Sequence, residues 1–238
     1  MSQPIEKIAQ LQLLSLPTSE LLDKFGSGGH KPGSGSGAAL VGILSCKFLE
    51  TVVTLSRGRS GYENHTPRYE YILGQIKQRV EPRLSKIVDE DSIQFGRVIQ
   101  ARRRRDAAKE NRQLREIALQ ELRQSTELPL EIARLSVDLA RFGIEIFDVG
   151  FRSARGDSGL GISAAISAAS SGLFIAYLNL RSFRRGQRTE EELRTNCTPT
   201  FSSYKPSNLR GSLSYSWRDA RAPINLNSEC RTSSGRES

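Results

Sequence analysis

A glycine-rich loop and two distant aspartates are the residues whose types and spacing could do chemistry in this 238-residue chain. The loop runs from Pro32 to Ala39 and opens into an uncharged stretch of small residues. Its glycines permit tight turns, Pro32 excludes helix just before it, and Gly37 is predicted to begin a helix. The free N–H groups and the dipole of such a helix start can hold an acidic group or a polar ring. A flexible connector is the alternative interpretation.

Asp91 ends the acidic triplet Asp89-Glu90-Asp91, inside a segment with helical apolar periodicity. It shares a helical face with Ile87 and Phe95 by i, i+4 spacing, which predicts that its carboxyl points inward. A partly buried aspartate has a raised pKa and can transfer protons. The alternative is that the triplet is a solvated acidic patch. Asp157 precedes a long alanine-rich helix and is predicted to be its N-cap.

The composition excludes several classes of protein. Three widely spaced cysteines, two histidines and no Cys-x-x-Cys pair argue against a structural zinc site, so no metal is predicted. The N-terminus has no basic segment followed by an apolar one, so no secretory signal is predicted and a cytoplasmic location is expected. The segment from 158 to 180 has no charge and is long enough to span a bilayer, but its serines favour a closely packed soluble helix.

The net charge of +9 is concentrated in two places, residues 101–124 and the C-terminal tail. Arg102 to Arg105 are interpreted either as a solvated helix face or as a site for nucleic acid or another acidic partner. No aromatic residues lie between these arginines to stack on bases, so nucleic acid is not the predicted partner.

Helical periodicity recurs along the chain and no segment alternates like a strand, which predicts an all-α fold. We expect a multi-helix bundle whose central helices are rich in small residues and so approach closely. One helix is predicted to end near Gln124, and another to begin after Leu128-Pro129. Pro82 should kink or break the segment before Asp91. Residues 1–190 are predicted to form one helical domain, and residues 191–238 a low-complexity, disordered tail.

Four short motifs, in order, resemble the cyclodeaminase/cyclohydrolase family of formiminotetrahydrofolate cyclodeaminase domains and methenyltetrahydrofolate cyclohydrolases. The Pro32–Ala39 loop after a Leu-rich helix is similar to the family's opening. Asp91-x-x-x-Phe95 and Leu128-Pro129-Leu130-Glu131 are similar to two of its helices. Asp157-x-Gly159, followed by Asn179-Leu180, is similar to its last helix. Gly156 and Ile175 depart from the family pattern, which expects serine and asparagine there.

The resemblance implies an all-α homodimer that binds a tetrahydrofolate derivative as substrate and uses no metal or other cofactor. It implies either cyclodeaminase or methenyltetrahydrofolate cyclohydrolase activity. The alternative is a divergent, catalytically inactive helical protein that binds folate or another partner. Asp91 and Asp157 are the implied catalytic residues. The implied substrate-binding residues are Pro32, Gly33, Ser34, Gly35, Ser36 and Asn179. The resemblance also offers the glutamate tail of folate as an acidic partner for Arg102 to Arg105, with a solvated helix face as the alternative.

Overall fold

The computed structural model describes residues 12–29 and 31–184, with the side chains of residues 183 and 184 left aside. Six α-helices follow one another within these described residues. They are α1 (Thr18–Gly26), α2 (Ser34–Ser56), α3 (Thr66–Gln75), α4 (Glu81–Ala107), α5 (Arg112–Val149) and α6 (Arg155–Arg184). The regular elements of the described residues are all helical, which confirms the predicted all-α bundle.

Helix α2 lies at the centre of the bundle and packs on α4, α5 and α6. Along α4 it runs antiparallel, because Ser36 meets Asp91 whereas Gly42 faces Leu84. A Cβ on Gly42 would lie 2.9 Å from a Leu84 methyl group, so the small residue is what permits this approach. Along α5 it runs parallel, because Gly42 lies opposite Ser136 whereas Leu49 lies opposite Gly143.

Helix α6 runs antiparallel to α5 and therefore also antiparallel to α2. Gly143 of α5 contacts Ile162, whereas Gly172 of α6 contacts Ala133. A Cβ on Gly172 would lie 2.5 Å from the Pro129 carbonyl oxygen. These contacts confirm the prediction that small residues let the central helices pack closely.

Helix α5 is one continuous helix, so the predicted break before Leu128-Pro129 is wrong. Pro129 lacks an N–H and cannot serve the carbonyl of Ser125 one turn earlier. The side-chain amide of Asn179 donates to that carbonyl at 2.9 Å. Contact with α6 therefore supplies the missing hydrogen bond, and the helix passes through the proline.

Several predicted boundaries shift by a few residues. Helix α2 begins at Ser34 rather than Gly37, so more of the glycine loop is helical than expected. Helix α6 begins at Arg155, which places Asp157 in its first turn; the prediction of an N-cap at Asp157 is wrong. Near Pro82 the predicted interruption is present, as a π-helical segment over Ile76–Val80 that joins α3 to α4.

Two segments, Ser34–Ser56 and Arg152–Ser182, are long and apolar enough to cross a membrane by length and composition alone. Core helices of soluble proteins meet the same criterion, and both segments pack within this bundle. The finding is therefore weak evidence for a membrane span. The whole of the predicted C-terminal tail, 191–238, lies outside the described residues, and its disorder stays a prediction.

Candidate functional site

The glycine loop and Asp91 come together at the N-terminus of α2. The backbone N–H of Ser36, in the first turn of that helix, donates to Asp91 Oδ2 at 3.0 Å. Helix α2 carries no acidic residue of its own in its first turn. Asp91 from α4 thus receives one of the free N–H donors and sits where the helix dipole favours negative charge.

Two serine hydroxyls extend this contact into the protein. Ser36 Oγ donates to the Val88 carbonyl oxygen at 2.7 Å and lies 3.0 Å from Ser92 Oγ. Since the Ser36 proton is committed to Val88, Ser92 is the donor between the two hydroxyls. Ser36 Oγ also lies 3.4 Å from Asp91 Oδ2. Both serines are fully buried. The network fixes the start of α2 against α4 and holds the Asp91 carboxyl in one position.

Gly35 is the residue that makes room for this carboxyl. A Cβ at position 35 would overlap the Asp91 carboxyl group, with its nearest approach to Oδ1. The glycine is therefore required by close approach of α4 and not by an unusual backbone angle. Gly37, two residues on, has only an ordinary contact of 3.5 Å with the Phe25 ring.

Burial raises the pKa of Asp91 above its ordinary value, and the hydrogen bond from the Ser36 backbone N–H opposes this shift without cancelling it. The carboxyl is therefore easier to protonate than one in water. A group of this kind can give up a proton and take one back near neutral pH more readily than an exposed aspartate. The prediction of an inward-facing, partly buried Asp91 is confirmed.

The loop residues predicted for substrate binding surround the same point. Pro32 is buried, and Gly33 precedes α2 as its N-cap in an extended conformation. Ser34 is exposed at the first position of the helix, while Gly35 and Ser36 are buried beneath it. The exposed edge of the loop thus leads directly to the buried carboxyl.

Comparison with known proteins identifies the family of the chain. A family model described as formiminotransferase-cyclodeaminase matches residues 17–198. The chain belongs to the formiminotransferase-cyclodeaminase family. The family resemblance found in the sequence motifs is therefore confirmed.

A solved structure supports the fold of this family member. It is formiminotetrahydrofolate cyclodeaminase from Thermotoga maritima, to which the chain is similar with a TM-score of 0.69 and 19% identity. The match covers 80% of this chain and 88% of that one. None of the curated proteins matches the sequence significantly.

The fold does not bring Asp157 close to Asp91 within the chain of this formiminotransferase-cyclodeaminase family member. Gly161, one turn after Asp157, packs against Leu49 of α2. Leu49 lies thirteen residues beyond Ser36, about 20 Å along the helix at 1.5 Å per residue. The two predicted catalytic carboxyls therefore lie near opposite ends of α2.

Asn179 lies at the same end of the bundle as the glycine loop, because it is eighteen residues beyond Gly161 on α6, about 27 Å along a helix antiparallel to α2. Its amide nitrogen is bound to the Ser125 carbonyl of α5, as described above. That contact gives Asn179 a structural role in the bundle of this family member. Its predicted part in substrate binding stays a prediction.

Two residues beside the site were missed in the sequence. Ser92 follows the acidic triplet directly, and a hydroxyl at that position gives no signal without knowledge of its partner Ser36. Lys31 comes before the loop, and its ammonium packs on α4 so closely that a Cβ on Gly96 would lie 2.7 Å from Nζ. The sequence shows a lysine before the loop and a glycine in the helical segment, but it does not show that the two residues meet.

The described residues form a cavity outside the glycine loop but no cluster of metal ligands. No group of three or more His, Cys, Asp or Glu is placed to hold a metal ion there. A cavity of about 400 Å³ lies between α4 and α5, and none of the residues lining it belongs to the glycine loop. Its lining comprises Glu90, Ile93, Gln94, Arg97, Gln124, Glu127 and Leu128.

Proposed function

We propose that this protein is an enzyme of folate one-carbon metabolism, either a formimidoyltetrahydrofolate cyclodeaminase or a methenyltetrahydrofolate cyclohydrolase. The observation that carries the proposal is the Asp91 carboxyl, held against the first turn of α2 beneath the glycine loop in a chain of this family. The similar protein from Thermotoga maritima is named as a formiminotetrahydrofolate cyclodeaminase. We place the enzyme in the cytoplasm.

The chemistry of both reactions needs proton transfer at a fixed point. In cyclodeamination, N10 attacks the formimino carbon carried by N5, and ammonia leaves after it gains a proton. In the cyclohydrolase reaction, water adds to the methenyl carbon and the ring opens. A carboxyl with a raised pKa can give the proton in the first reaction and accept one from water in the second. Neither reaction as proposed calls for a cofactor or a metal.

The binding part of this proposal is tested by calorimetric titration with 5-formyltetrahydrofolate, a stable folate. We expect micromolar binding to the full chain, and weaker binding to Asp91→Asn and to Asp157→Asn. A folded protein that binds no folate would contradict the proposal. Binding without turnover would support the alternative, a catalytically inactive folate-binding protein, and Gly156→Ser with Ile175→Asn would then test whether activity returns.

We also propose that the enzyme acts as a homodimer whose sites combine Asp91 of one subunit with Asp157 of the other. Within one subunit the two carboxyls lie near opposite ends of α2, too far apart to act on one reacting centre. Helices α2 and α6 run antiparallel, so the start of α6 lies near the end of α2. A two-fold axis perpendicular to α2 at its middle brings the end of α2 in one subunit beside the start of α2 in the other. Such an axis places the partner's α6 start beside this subunit's glycine loop.

The outer face of α6 supports a second copy as the partner. Its exposed side chains from position 160 to 178 carry no charge. Leu160, Phe174 and Leu178 recur on this face at helical spacing and are between 46% and 49% exposed. A continuous exposed apolar face is typical of protein interfaces.

Mixed dimers test the shared site. Asp91→Asn and Asp157→Asn proteins, each inactive alone, are unfolded, mixed in equal amounts and refolded together. Random pairing restores an intact Asp91–Asp157 pair in about a quarter of the sites when each site spans two subunits. Recovery of about a quarter of wild-type turnover is therefore expected. No recovery, in a mixture shown to contain mixed dimers, would contradict the shared site while leaving the reaction itself untouched.

A further inference from the structure

A strongly basic surface forms at one end of the bundle, where the C-terminal end of α4, the first turns of α5 and the C-terminal end of α6 meet. The guanidinium of Arg102 donates to Ser182 Oγ at 3.1 Å and so joins α4 to α6. A small apolar cluster lies below this contact. It comprises Val98, Leu119, Leu122 and Leu180. We call the surface above it the basic end; its basic members are Arg102, Arg103, Arg104, Arg105, Lys109, Arg112, Arg115 and Arg181.

The arginines elsewhere in the bundle differ from these, because many of them are matched to carboxylates across helices. Arg68 binds Glu145, Arg79 binds Asp138, and Arg83 binds both Glu90 and Glu131. Among the described residues, no carboxylate lies within ion-pair distance of Arg102, Arg103 or Arg104. The basic end is therefore left with positive charge that the carboxylates of residues 12–29 and 31–184 do not neutralise.

Local helix chemistry explains only part of this charge. Arg104 and Arg105 lie in the last turn of α4, where cations complement the helix dipole. Arg112 and Arg115 lie in the first turn of α5, where the dipole is positive and cations are disfavoured. Arg112 pairs with Glu116, but both side chains are largely exposed and such a pair contributes little. Folding stability alone thus does not account for the basic end.

The electrostatic state of Arg102 points the same way. Burial lowers the pKa of Arg102, and the neighbouring Arg105 lowers it further, while Asp106 opposes the shift. Asp106 is itself paired with Arg105. An added anion at this place would relieve the repulsion between the two guanidinium groups.

The chemistry of the surface selects the class of anion. Seven of its eight basic members are arginines, whose planar guanidinium groups bind phosphate or carboxylate oxygens in pairs. Exposed large hydrophobic side chains flank the surface at Ile117 on α5 and at Tyr177 and Leu178 on α6. The Arg181 guanidinium lies over the Tyr177 ring at 5.7 Å. The eight basic residues outnumber these apolar ones, and a phosphate backbone, which is bound by charge, fits the surface better than a membrane or an apolar peptide.

We propose that the basic end binds nucleic acid through its phosphate backbone, without reading its sequence. The surface lies at the same end of the bundle as the candidate active site but shares no residue with it, since Arg102 is eleven residues beyond Asp91 on α4, about 16 Å along the helix. Nucleic-acid binding is measured without folate, so neither failure would imply the other. It also departs from the expectation drawn from the sequence alone, in which the arginines were considered without their neighbours on α5 and α6.

The test is fluorescence anisotropy of a labelled 20-nucleotide single-stranded RNA with the full chain over a range of salt concentrations. The variant is Arg103→Ala/Arg104→Ala/Lys109→Ala, three exposed residues whose side chains make no ion pair in the structure. The matched control is Lys86→Ala/Arg141→Ala/Arg152→Ala, which removes the same charge from exposed positions elsewhere. All proteins are checked for native helicity and thermal stability.

We expect the wild-type protein to bind with an affinity that falls steeply with salt. Each lost phosphate contact lowers the slope of log affinity against log salt by ~0.7 for a single strand, so the triple variant should lose about 2 units of slope. Its affinity at low salt should fall by about tenfold or more, while the control stays within about twofold.

Three results would overturn the proposal. The first is an absence of binding by the full chain at low salt. The second is equal weakening of the variant and the control, which would mean that net charge and not the basic end attracts the RNA. The third is displacement of the RNA by polyglutamate, or binding to phosphatidylserine vesicles, at equal or lower concentration of negative charge, which would assign the surface to an acidic peptide or a membrane.

Discussion

The functional account rests on the Asp91 carboxyl, and its titration should change the free energy of unfolding with pH. Burial raises its pKa above the ordinary value of 3.8. Between 3.8 and the raised value, the folded state binds more protons than the unfolded state, so stability falls as pH rises through this interval. Asp91→Asn keeps an acceptor for the Ser36 N–H but cannot titrate.

We therefore expect the unfolding free energy of wild type, relative to that of Asp91→Asn, to fall as pH rises from 3.8 through the raised pKa. Urea unfolding at a series of pH values measures this difference. Asp23→Asn, at an exposed position in α1, is the matched control. An advantage of wild type over Asp91→Asn that grows with pH would show that the ionised carboxylate stabilises the fold, contrary to our account.

Two glycines of the same helix should respond in opposite ways to alanine. A methyl group at Gly35 overlaps the Asp91 carboxyl, so Gly35→Ala should cost about 1–3 kcal/mol and abolish folate binding. Gly37 has room for a methyl group, so Gly37→Ala should be neutral or stabilise by about 0.5–1 kcal/mol. Thermal and urea unfolding with folate titration compare the two. Equal effects would show that crowding at Asp91 is not what requires Gly35.

At the scale of residues, the sequence allowed the loop, the inward-facing Asp91 and its raised pKa to be predicted. Helical spacing is enough to place Asp91 on a face with Ile87, whichever helix covers that face. The partners Ser36, Ser92 and Gly35 could not be predicted, because they come from contacts more than fifty residues apart in the chain. The same holds for Lys31 and Gly96.

Helix α5 owes its continuity to a contact from another helix, and this can be measured. Asn179→Ala leaves the Ser125 carbonyl without a partner and should cost about 1–3 kcal/mol. Pro129→Ala restores an N–H that can bind the same carbonyl, so the cost of Asn179→Ala should shrink in that background. A double-mutant cycle from urea unfolding gives the coupling. Additive effects would mean that Asn179 does not replace the bond lost at Pro129.

Two buried serines in the helix interfaces form a second matched pair. Ser136 Oγ is fully buried and has no hydrogen-bond partner in the described part of the chain, so Ser136→Ala should be neutral or stabilise by up to about 1 kcal/mol. Ser45 Oγ donates to the Gly161 carbonyl at 2.8 Å, so Ser45→Ala should destabilise by about 1 kcal/mol. Unfolding in urea decides the order, and a larger loss for Ser136→Ala would refute the assignment of its unsatisfied hydroxyl.

At the scale of elements, apolar periodicity predicted helices where the structure has them, while the boundaries depended on partners that lie elsewhere in the chain. Proline alone was a poor guide. Pro82 follows a real change of helix type, but Pro129 lies inside an unbroken helix because α6 serves its freed carbonyl. Asp157 was correctly predicted to lie at a helix start. Its predicted role as the N-cap was wrong, since α6 begins two residues earlier.

For the whole molecule, the motifs predicted a family that the family comparison confirms, but they could not show how the motifs are arranged. The Asp91 and Asp157 motifs were expected to form one site, and one subunit holds them near opposite ends of α2. Distance along the sequence carries no information about this separation, because it depends on the antiparallel course of α6. The shared site that we propose between two subunits is what would reconcile the two motifs with one reaction.

The shared site also predicts that assembly and catalysis fail together. Leu160→Glu with Phe174→Glu places two charges on the exposed apolar face of α6 and should produce folded, inactive monomers. Light scattering and turnover measure the two properties. Ile117→Glu, also an exposed apolar residue but on α5, should leave both unchanged. Active monomers would contradict the shared site.

The most direct test of the central claim is turnover of methenyltetrahydrofolate, followed by its near-ultraviolet absorbance, in wild type and Asp91→Asn. A cyclohydrolase consumes this compound, and a cyclodeaminase forms it from formimidoyltetrahydrofolate, so both directions are measured. We predict enzyme-dependent change in one of the two assays and its loss in Asp91→Asn without loss of fold. No change in either assay by wild type, or full activity of Asp91→Asn, would contradict the account.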